Sequence, residues 1–171
     1  MPKCAPFAAS SRNTLALALA AIMAFPALAA DLRPMKDPAK IATVFPARAK
    51  VRVLNVWAMW CVPCVAEMPD LKLIDDAFGA DVSIVGVSLD DMLPDAEQSN
   101  TAHFLDQRKI AFPNIYYNGN ADELGARLQF NGEIPVTIVF DRNGKELWRH
   151  QGRLDRNKTI ARLRETLKGM Q

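Results

Sequence analysis

The stretch Trp60-Cys61-Val62-Pro63-Cys64 lies where an apolar run ends and a helical pattern begins. The run before it, Val51–Trp57 (VRVLNVW), is rich in β-branched and aromatic residues, which predicts a buried strand. The run after it, Val65–Phe78, predicts a helix. The two cysteines therefore occupy a strand-to-helix junction and lie one helical turn apart.

A cysteine at the N-terminus of a helix is well placed to act as a nucleophile. Unpaired backbone N–H groups and the positive end of the helix dipole both favour the thiolate over the thiol. Cys61 is the more N-terminal of the pair, so we predict that it is the more exposed and that it attacks. Cys64 can reach the same partner sulfur and resolves the mixed disulfide, which makes the pair suited to thiol–disulfide exchange.

Composition predicts one globular domain with no strongly charged partner. The chain has 171 residues, of which 50% are hydrophobic and 23% charged, enough for one domain with a real core. Its net charge of +2 falls to zero without the first thirty residues, which hold the bases Lys3 and Arg12 and no acid. This balance indicates neither nucleic acid nor an anionic membrane surface as a partner. We expect a monomer.

Residues 1–30 have the pattern of an export signal. A positively charged start is followed by the short apolar run Leu15–Phe25 and by Ala27-Leu28-Ala29, which fits a cleavage site. Cleavage would leave a domain at residues 31–171 in the periplasm. The alternative is an uncleaved N-terminal membrane anchor, although the apolar run is shorter than the roughly 20 residues of a full span.

Counting cysteines favours redox chemistry. Of the three cysteines, Cys4 would leave with the signal, so only Cys61 and Cys64 remain. An exported protein with a single pair is not a disulfide-stapled scaffold, so we predict that the pair carries chemistry. Zinc is the alternative, but it normally takes four N or S ligands, and neither His103 nor His150 lies beside the pair. We therefore expect a redox-active Cys61–Cys64 disulfide, with no metal and no other cofactor.

The rest of the chain alternates between strand and helix patterns. The predicted elements are a leader Asp31–Lys50 with one helical turn around 39–45, strand Val51–Trp57, helix Cys61–Phe78 interrupted by Pro69, strand Val82–Leu89, loop Asp90–Ser99, helix Asn100–Lys109, a short strand or edge segment Phe112–Tyr116, helix Ala121–Leu128, strand Val136–Asp141, strand Glu146–Gln151 and helix Asp155–Leu167. Helical crossovers require parallel strands, and Asn143-Gly144 predicts a hairpin. The fold class is therefore α/β, with a central mixed sheet and helices on both faces.

The residues Asn55 to Pro69 (NVWAMWCVPCVAEMP) resemble the active-site stretch of the thioredoxin superfamily. They are most similar to the exported thiol–disulfide oxidoreductases of the TlpA, ResA and CcmG type. The resemblance covers nearly all of Leu32–Lys168 and includes a distant Ile134-Pro135. It implies a thioredoxin-like fold, with the segment around residues 90–133 as a central insertion beside the active site.

The resemblance also implies roles outside the cysteine pair. Glu67 would be a catalytic-site acid that exchanges a proton with Cys64 after burial has raised its pKa; the alternative is a solvated helix glutamate. Asn55 stands where thioredoxin carries a buried aspartate, and it cannot act as a base. Ile134-Pro135 would form a cis-proline loop that exposes the Ile134 backbone to a target strand. The alternative there is an ordinary proline at a strand entry.

The residues around the cysteines indicate a target-facing surface. Trp60, Met59 and Val62 would expose apolar area beside the attacking sulfur, whereas Trp57 would pack in the core. Pro63 has no N–H, so it withholds one donor from that sulfur and biases the pair towards reduction. The predicted docking residues are Trp60, Val62, Pro63, Ile134 and Pro135.

The resemblance implies an exported reductase of protein disulfides. Its targets would be apocytochrome c thiols or copper-site cysteines, and a membrane donor of the CcdA or DsbD type would re-reduce it. One alternative is an exported disulfide oxidase or isomerase on the same fold. Another is a copper metallochaperone like the Sco proteins, which pair a wider C-x-x-x-C with a histidine. A peroxidase fits less well, because its reactive cysteine lies in a different context.

Overall fold

The computed structural model describes residue 1 and residues 29–170, in which strands and helices alternate. The strands are β1 (Leu32–Met35), β2 (Val51–Trp57), β3 (Val82–Ser88), β4 (Asn114–Tyr117), β5 (Val136–Asp141) and β6 (Glu146–Gln151). The helices are α1 (Val62–Phe78), α2 (Gln98–Gln107), α3 (Ala121–Leu128) and α4 (Arg156–Lys168), with 3₁₀ helices at Pro38–Val44 and Asp90–Met92. Most of the predicted export signal, including Lys3, Cys4 and Arg12, lies outside the described residues. Among those described, no helix has the length and apolarity needed to cross a membrane.

The strands form one mixed sheet in the order β1-β4-β3-β2-β5-β6. The first four strands of that order run parallel, and β5 and β6 add an antiparallel hairpin beside β2. Gly144 takes a φ of 84° in the hairpin turn, the left-handed region that the Asn-Gly pair predicts. The predicted mixed sheet is confirmed.

The leader differs from its prediction, because residues 32–35 form β1 instead of a loop. Asn114 N donates to Asp31 O at 2.7 Å and Asn118 N donates to Met35 O at 3.1 Å, so β1 pairs with β4 and occupies the sheet edge. An edge strand tolerates Pro34, which can donate no backbone hydrogen bond. As a result β4 is an interior strand and not an edge segment. The predicted helical turn near residues 39–45 is confirmed as the 3₁₀ helix Pro38–Val44.

Alternate residues of β2 face different layers of the fold. Asn55 contacts α1, and Trp57 stacks on Phe104 of α2 with ring centroids 5.5 Å apart. On the opposite face, Arg52 lies over the ring of Phe45, which follows the first 3₁₀ helix. Helices α1 and α4 pack together, as do α3 and that 3₁₀ helix. The sheet is therefore covered on both faces, which explains why β3 is buried along its whole length.

Helix α1 begins one residue later than predicted and is continuous. Cys61 is its N-cap, with an extended φ of −90° and ψ of 101°, and Pro63 lies in the first turn, where a missing N–H costs nothing. Pro69 lies inside the helix without dividing it. The first turn of α1 consequently points at the carboxyl end of β2, where the candidate site is found.

Candidate active site

Cys61 occupies the N-cap of α1 just beyond the end of β2. Its Sγ accepts a hydrogen bond from the backbone N–H of Cys64 at 3.3 Å. Val62 and Pro63 fill the first two helical positions, and Pro63 has no N–H to offer the sulfur. The Cys61 sulfur thus sits at the positive end of the helix dipole, with one backbone donor directed at it.

The two cysteines are joined in a disulfide, with an S–S distance of 2.03 Å and Cα atoms 5.2 Å apart. Cys61 keeps 6% of its surface exposed, whereas Cys64 is 0% exposed. Of the two cysteines, only Cys61 therefore retains any exposed surface. This confirms the prediction that Cys61 is the more accessible of the pair.

Exposed apolar residues flank Cys61 in the chain. Trp60 is 46% exposed and Val62 is 79% exposed, and Pro63 is also exposed. Beside them a cavity of about 480 Å³ lies between Met59, Trp60 and residues 93–97. Large apolar side chains that remain exposed in one place mark a contact surface for another molecule. The predicted exposure of Trp60, Val62 and Pro63 is confirmed, and their role in docking stays a prediction.

The Ile134–Pro135 segment lies against the same sulfur. Its peptide bond is cis, and the Ile134 carbonyl oxygen is 3.7 Å from Cys61 Sγ. Gly152 N donates to Pro135 O at 2.8 Å, which fixes the segment to the end of β6. The Ile134 carbonyl is therefore held beside the Cys61 sulfur, whereas Pro135 is buried; docking at this segment stays a prediction.

Glu67 is fully buried one turn beyond Cys64, so it is not a solvated helix glutamate. Its Oε1 accepts from Asn55 Nδ2 at 2.8 Å, and its Oε2 accepts from Leu154 N at 2.9 Å. Loss of solvation raises the pKa of Glu67 above its usual value; these two donors and the charges of His150 and Arg153 oppose that rise without cancelling it. Such a carboxyl can hold a proton closer to neutral pH than an exposed glutamate can.

Asp90 is a buried carboxylate that the sequence analysis placed in a loop without a role. Its Oδ1 accepts from Met59 N at 2.7 Å, and its Oδ2 accepts from Ser88 Oγ at 2.7 Å and Thr101 Oγ1 at 2.9 Å. The first of these bonds ties the loop that precedes Cys61 to the end of β3. The position of an acid directly after a buried strand could have indicated a role for Asp90. Its hydrogen-bond donors could not be predicted, because they lie on three separate segments.

Asp90→Asn is expected to lower the free energy of unfolding by about 1.5 kcal/mol, because it removes a charged acceptor from three donors. The two hydroxyls can turn to accept from the new amide, which limits the loss. Urea unfolding of the oxidised protein measures the change, and amide hydrogen exchange at Met59 should accelerate with it. Asp95→Asn, at an exposed position of the same segment, is the matched control and should leave both unchanged. Equal effects from the two variants would contradict this account.

The two histidines differ in their surroundings. His103 is exposed on α2, as predicted. His150 is only partly exposed; it pairs in register with Thr137 across the β5–β6 hairpin and its charge acts on Glu67. The prediction of a surface position therefore holds in part for His150, which is partly exposed and whose charge also lowers the pKa of Glu67. Within residues 29–170, no three His, Cys, Asp or Glu side chains form a group that could hold a metal ion.

The predicted site residues converge on the start of α1 from separate parts of the chain. They are Trp60, Cys61, Val62, Pro63, Cys64 and Glu67 from the β2–α1 junction, and Ile134 and Pro135 from the segment before β5. Asn55, Asp90 and His150 join them through hydrogen bonds and charge. The geometry combines a slightly exposed Cys61, a fully buried Cys64 and a buried carboxyl.

The sequence is similar to known thiol-disulfide oxidoreductases. A family model described as Redoxin matches residues 10–167. The thiol-disulfide oxidoreductase ResA of Oceanobacillus iheyensis is 35% identical over 95 residues, which cover 54% of this chain and 45% of that protein. The thiol:disulfide interchange protein DsbE of Pseudomonas aeruginosa is 28% identical over 139 residues, covering 74% of this chain and 70% of that protein. The chain spans about half the length of the ResA and YneN relatives that it matches.

Solved structures share the fold. The crystal structure of a thiol-disulfide isomerase from Corynebacterium glutamicum superimposes with a TM-score of 0.62 at 20% identity, covering 83% of this chain and 96% of that chain. The predicted thioredoxin-like α/β fold is confirmed.

Proposed function

The chain belongs to the Redoxin family within the thioredoxin superfamily, and from that premise we propose that it is a thiol–disulfide oxidoreductase that reduces protein disulfides. One observation carries the proposal: in the Cys61–Cys64 disulfide only Cys61 retains exposed surface, and it lies at a helix N-terminus beside the Ile134–Pro135 segment. The relatives named as thiol-disulfide oxidoreductases support the reaction type. The Cys61–Cys64 pair is itself the redox group in this proposal.

The proposed cycle transfers two electrons to the target. The Cys61 thiolate attacks one sulfur of the target disulfide, forms a mixed disulfide and releases the other target sulfur, which takes up a proton. Cys64 then gives its proton to Glu67 and attacks Cys61 Sγ. The Cys61–Cys64 disulfide forms, the second target sulfur leaves as a thiolate, and a dithiol donor later reverses the oxidation of the pair.

The place and partners of this reaction are part of the proposal. The pattern of residues 1–30 supports export to the periplasm. A membrane donor of the CcdA or DsbD type would supply electrons there, and apocytochrome c or copper-site cysteines would receive them. The exposed Trp60 and Val62 support a protein target, because a small thiol would need no apolar docking surface.

The reduction potential of Cys61–Cys64 tests the direction of the reaction. We expect equilibration with glutathione to give a value towards thioredoxin, at about −270 mV, and away from DsbA, at about −120 mV. A reduction potential near that of DsbA would contradict the proposed reductase function and support an oxidase. Stoichiometric copper binding by the reduced protein, lost in Cys61→Ser, would instead support a metallochaperone.

Pro63→Ala should make the pair more oxidising by about 30 mV. The new N–H lies in the first turn and can donate to the Cys61 thiolate, a bond worth roughly 1.5 kcal/mol, and about 30 mV corresponds to 1.4 kcal/mol for two electrons. Pro69→Ala restores an N–H in the same helix but far from its N-cap, so it serves as the control and should leave the potential unchanged. An unchanged potential in Pro63→Ala would show that the proline does not tune the pair.

A further inference from the structure

The side chain of Asn55 is fully buried between β2, α1 and β5, with one end of its amide unpaired. Its Nδ2 donates to Glu67 Oε1 at 2.8 Å and to Thr137 Oγ1 at 3.1 Å. Its Oδ1 is buried and has no hydrogen-bond partner among the described residues. A buried carbonyl oxygen left unpaired costs about 1–3 kcal/mol, so this arrangement needs a physical reason.

The observed contacts of Glu67 are those expected of an ionised carboxylate. Both carboxyl oxygens accept hydrogen bonds, Oε1 from Asn55 and Oε2 from Leu154 N, which is the pattern of an ionised carboxylate. A protonated carboxyl carries an O–H that must find an acceptor in the same buried space. The unpaired acceptor there is Asn55 Oδ1, on the side chain that already contacts Glu67.

We propose that Asn55 is a positioning residue that serves both protonation states of Glu67 by rotating its amide. When Glu67 is ionised, Nδ2 faces it, as observed. When Glu67 is protonated, the amide turns over about the Cβ–Cγ bond, and Oδ1 accepts from the Glu67 O–H. The proposal rests on the proposed function only in using Cys64 as the source of the proton.

The neighbouring groups allow this rotation. The Thr137 hydroxyl accepts from Nδ2 in the observed state, and it can turn to donate to Oδ1 in the other. Each state leaves one end of the Asn55 amide unpaired, so the rotation exchanges one such cost for another of the same order. The protonation of Glu67 then decides which state is populated. An ionised aspartate at this position would place a second negative charge beside Glu67 and could donate no hydrogen bond to it.

Two charged side chains affect the pKa of the buried Glu67. His150 of β6 and Arg153, which follows that strand, both favour the ionised carboxylate. Arg153 also pairs with Asp70 of α1 at 3.4 Å, which holds its charge near the helix surface. Burial opposes both cations and raises the pKa of Glu67, so both protonation states are accessible as the pH changes.

The test is an NMR titration of the isotope-labelled, oxidised protein. The Glu67 side-chain carboxyl ¹³C shift reports protonation, and NOEs from the Asn55 amide protons to the Thr137 methyl and the Glu67 methylene protons report orientation. We expect these NOEs at high pH and their loss, together with a shift of Asn55 ¹³Cγ, over the same pH range in which Glu67 titrates. NOEs that persist after Glu67 is protonated would overturn the proposal.

Asn114 is an internal control of the same type. It is also fully buried, but its Oδ1 accepts from Trp57 Nε1 at 3.1 Å and its Nδ2 donates to Phe112 O at 3.0 Å. Both ends of this amide are paired with groups that do not titrate, so its NOEs should not change with pH.

The variant Glu67→Gln provides a second test of the proposal that does not depend on pH. The introduced glutamine resembles the protonated acid: its side-chain oxygen can accept from Leu154 N while its amide nitrogen donates to Asn55 Oδ1. We expect the rotated Asn55 at every pH in this variant. Amide protons of Asn55 that face the introduced glutamine would overturn the proposal. The NMR experiments need no target protein, so they can fail independently of the proposed function. An Asn55 amide that does not rotate in a protein with reductase activity refutes this inference alone. Rotation of Asn55 in a protein without reductase activity refutes the proposed function alone.

Discussion

Cys64→Ala is expected to stop turnover while a mixed disulfide between Cys61 and the target accumulates. Cys61 keeps its exposure and its position at the N-cap of α1, so the first exchange proceeds. The second exchange cannot, because Cys64 is the buried sulfur that reaches Cys61 from inside the helix. Disulfide reductase activity should therefore fall to the uncatalysed rate, with up to one equivalent of covalent adduct.

Mass spectrometry under non-reducing conditions measures the adduct, and expression in the cell envelope would identify the captured target. Cys61→Ser should lose the activity and form no adduct at the pair, since Cys64 is buried. Cys4→Ser is the control, because that residue belongs to the predicted export signal and should affect neither result. Unimpaired turnover in Cys64→Ala would disprove the two-cysteine cycle.

Glu67→Gln is expected to make the oxidised protein more stable than wild type at neutral pH and to slow its reaction. Burial raises the pKa of Glu67 in the folded state above its value of 4.5 in an ordinary environment. The folded protein thus binds this proton more tightly than the unfolded chain does. The stabilisation is fully present below the unfolded-chain pKa and is lost as the pH rises through the folded pKa.

Above that range the wild-type protein must hold a buried carboxylate, whereas the glutamine variant holds a neutral amide. The variant should gain about 1.4 kcal/mol for each unit by which the two pKa values of Glu67 differ, and the two proteins should converge at low pH. Urea unfolding between about pH 4 and pH 8 measures this difference. Loss of the proton acceptor for Cys64 should meanwhile lower the rate of disulfide exchange by about 10²-fold.

Glu165→Gln is the matched control, because Glu165 is exposed on α4 and no pH-dependent difference is expected from it. A glutamine variant at position 67 that is less stable than wild type at every pH would show that the carboxylate is stabilised by Asn55 and Leu154 N more than burial destabilises it. The raised pKa of Glu67 would then be wrong, together with the acid–base role built on it.

Much of the fold is predictable from local pattern. Val51–Trp57, Ala121–Leu128, Val136–Asp141 and Glu146–Gln151 begin and end where predicted. The first and third are apolar runs, the second is amphipathic, and Gly144 and Gly152 bound the fourth, so the local preference and the packed structure agree. Local pattern does not predict β1, because its four residues include a proline and bury little surface. It is a strand only because β4 offers it backbone partners.

Some features of the candidate site also follow from local sequence, and others depend on tertiary structure. Cys61, Cys64 and Pro63 act through short-range geometry, since the first turn of one helix already defines the sulfur, its donor and the missing donor. Those features follow from local sequence. Asp90 and His150 do not, because one holds the active-site loop and the other acts on Glu67 across long sequence separations.

The sequence by itself therefore determined the redox pair, the order of the elements from β2 onwards and which of the two cysteines lies at the start of the helix. Only the tertiary structure decided the environment of Glu67. Its pKa depends on how completely solvent is removed and on which donors replace it, and those donors come from β2 and from the segment after β6. Local sequence specifies backbone conformation, whereas solvation and hydrogen bonding of a buried group are properties of everything packed around it.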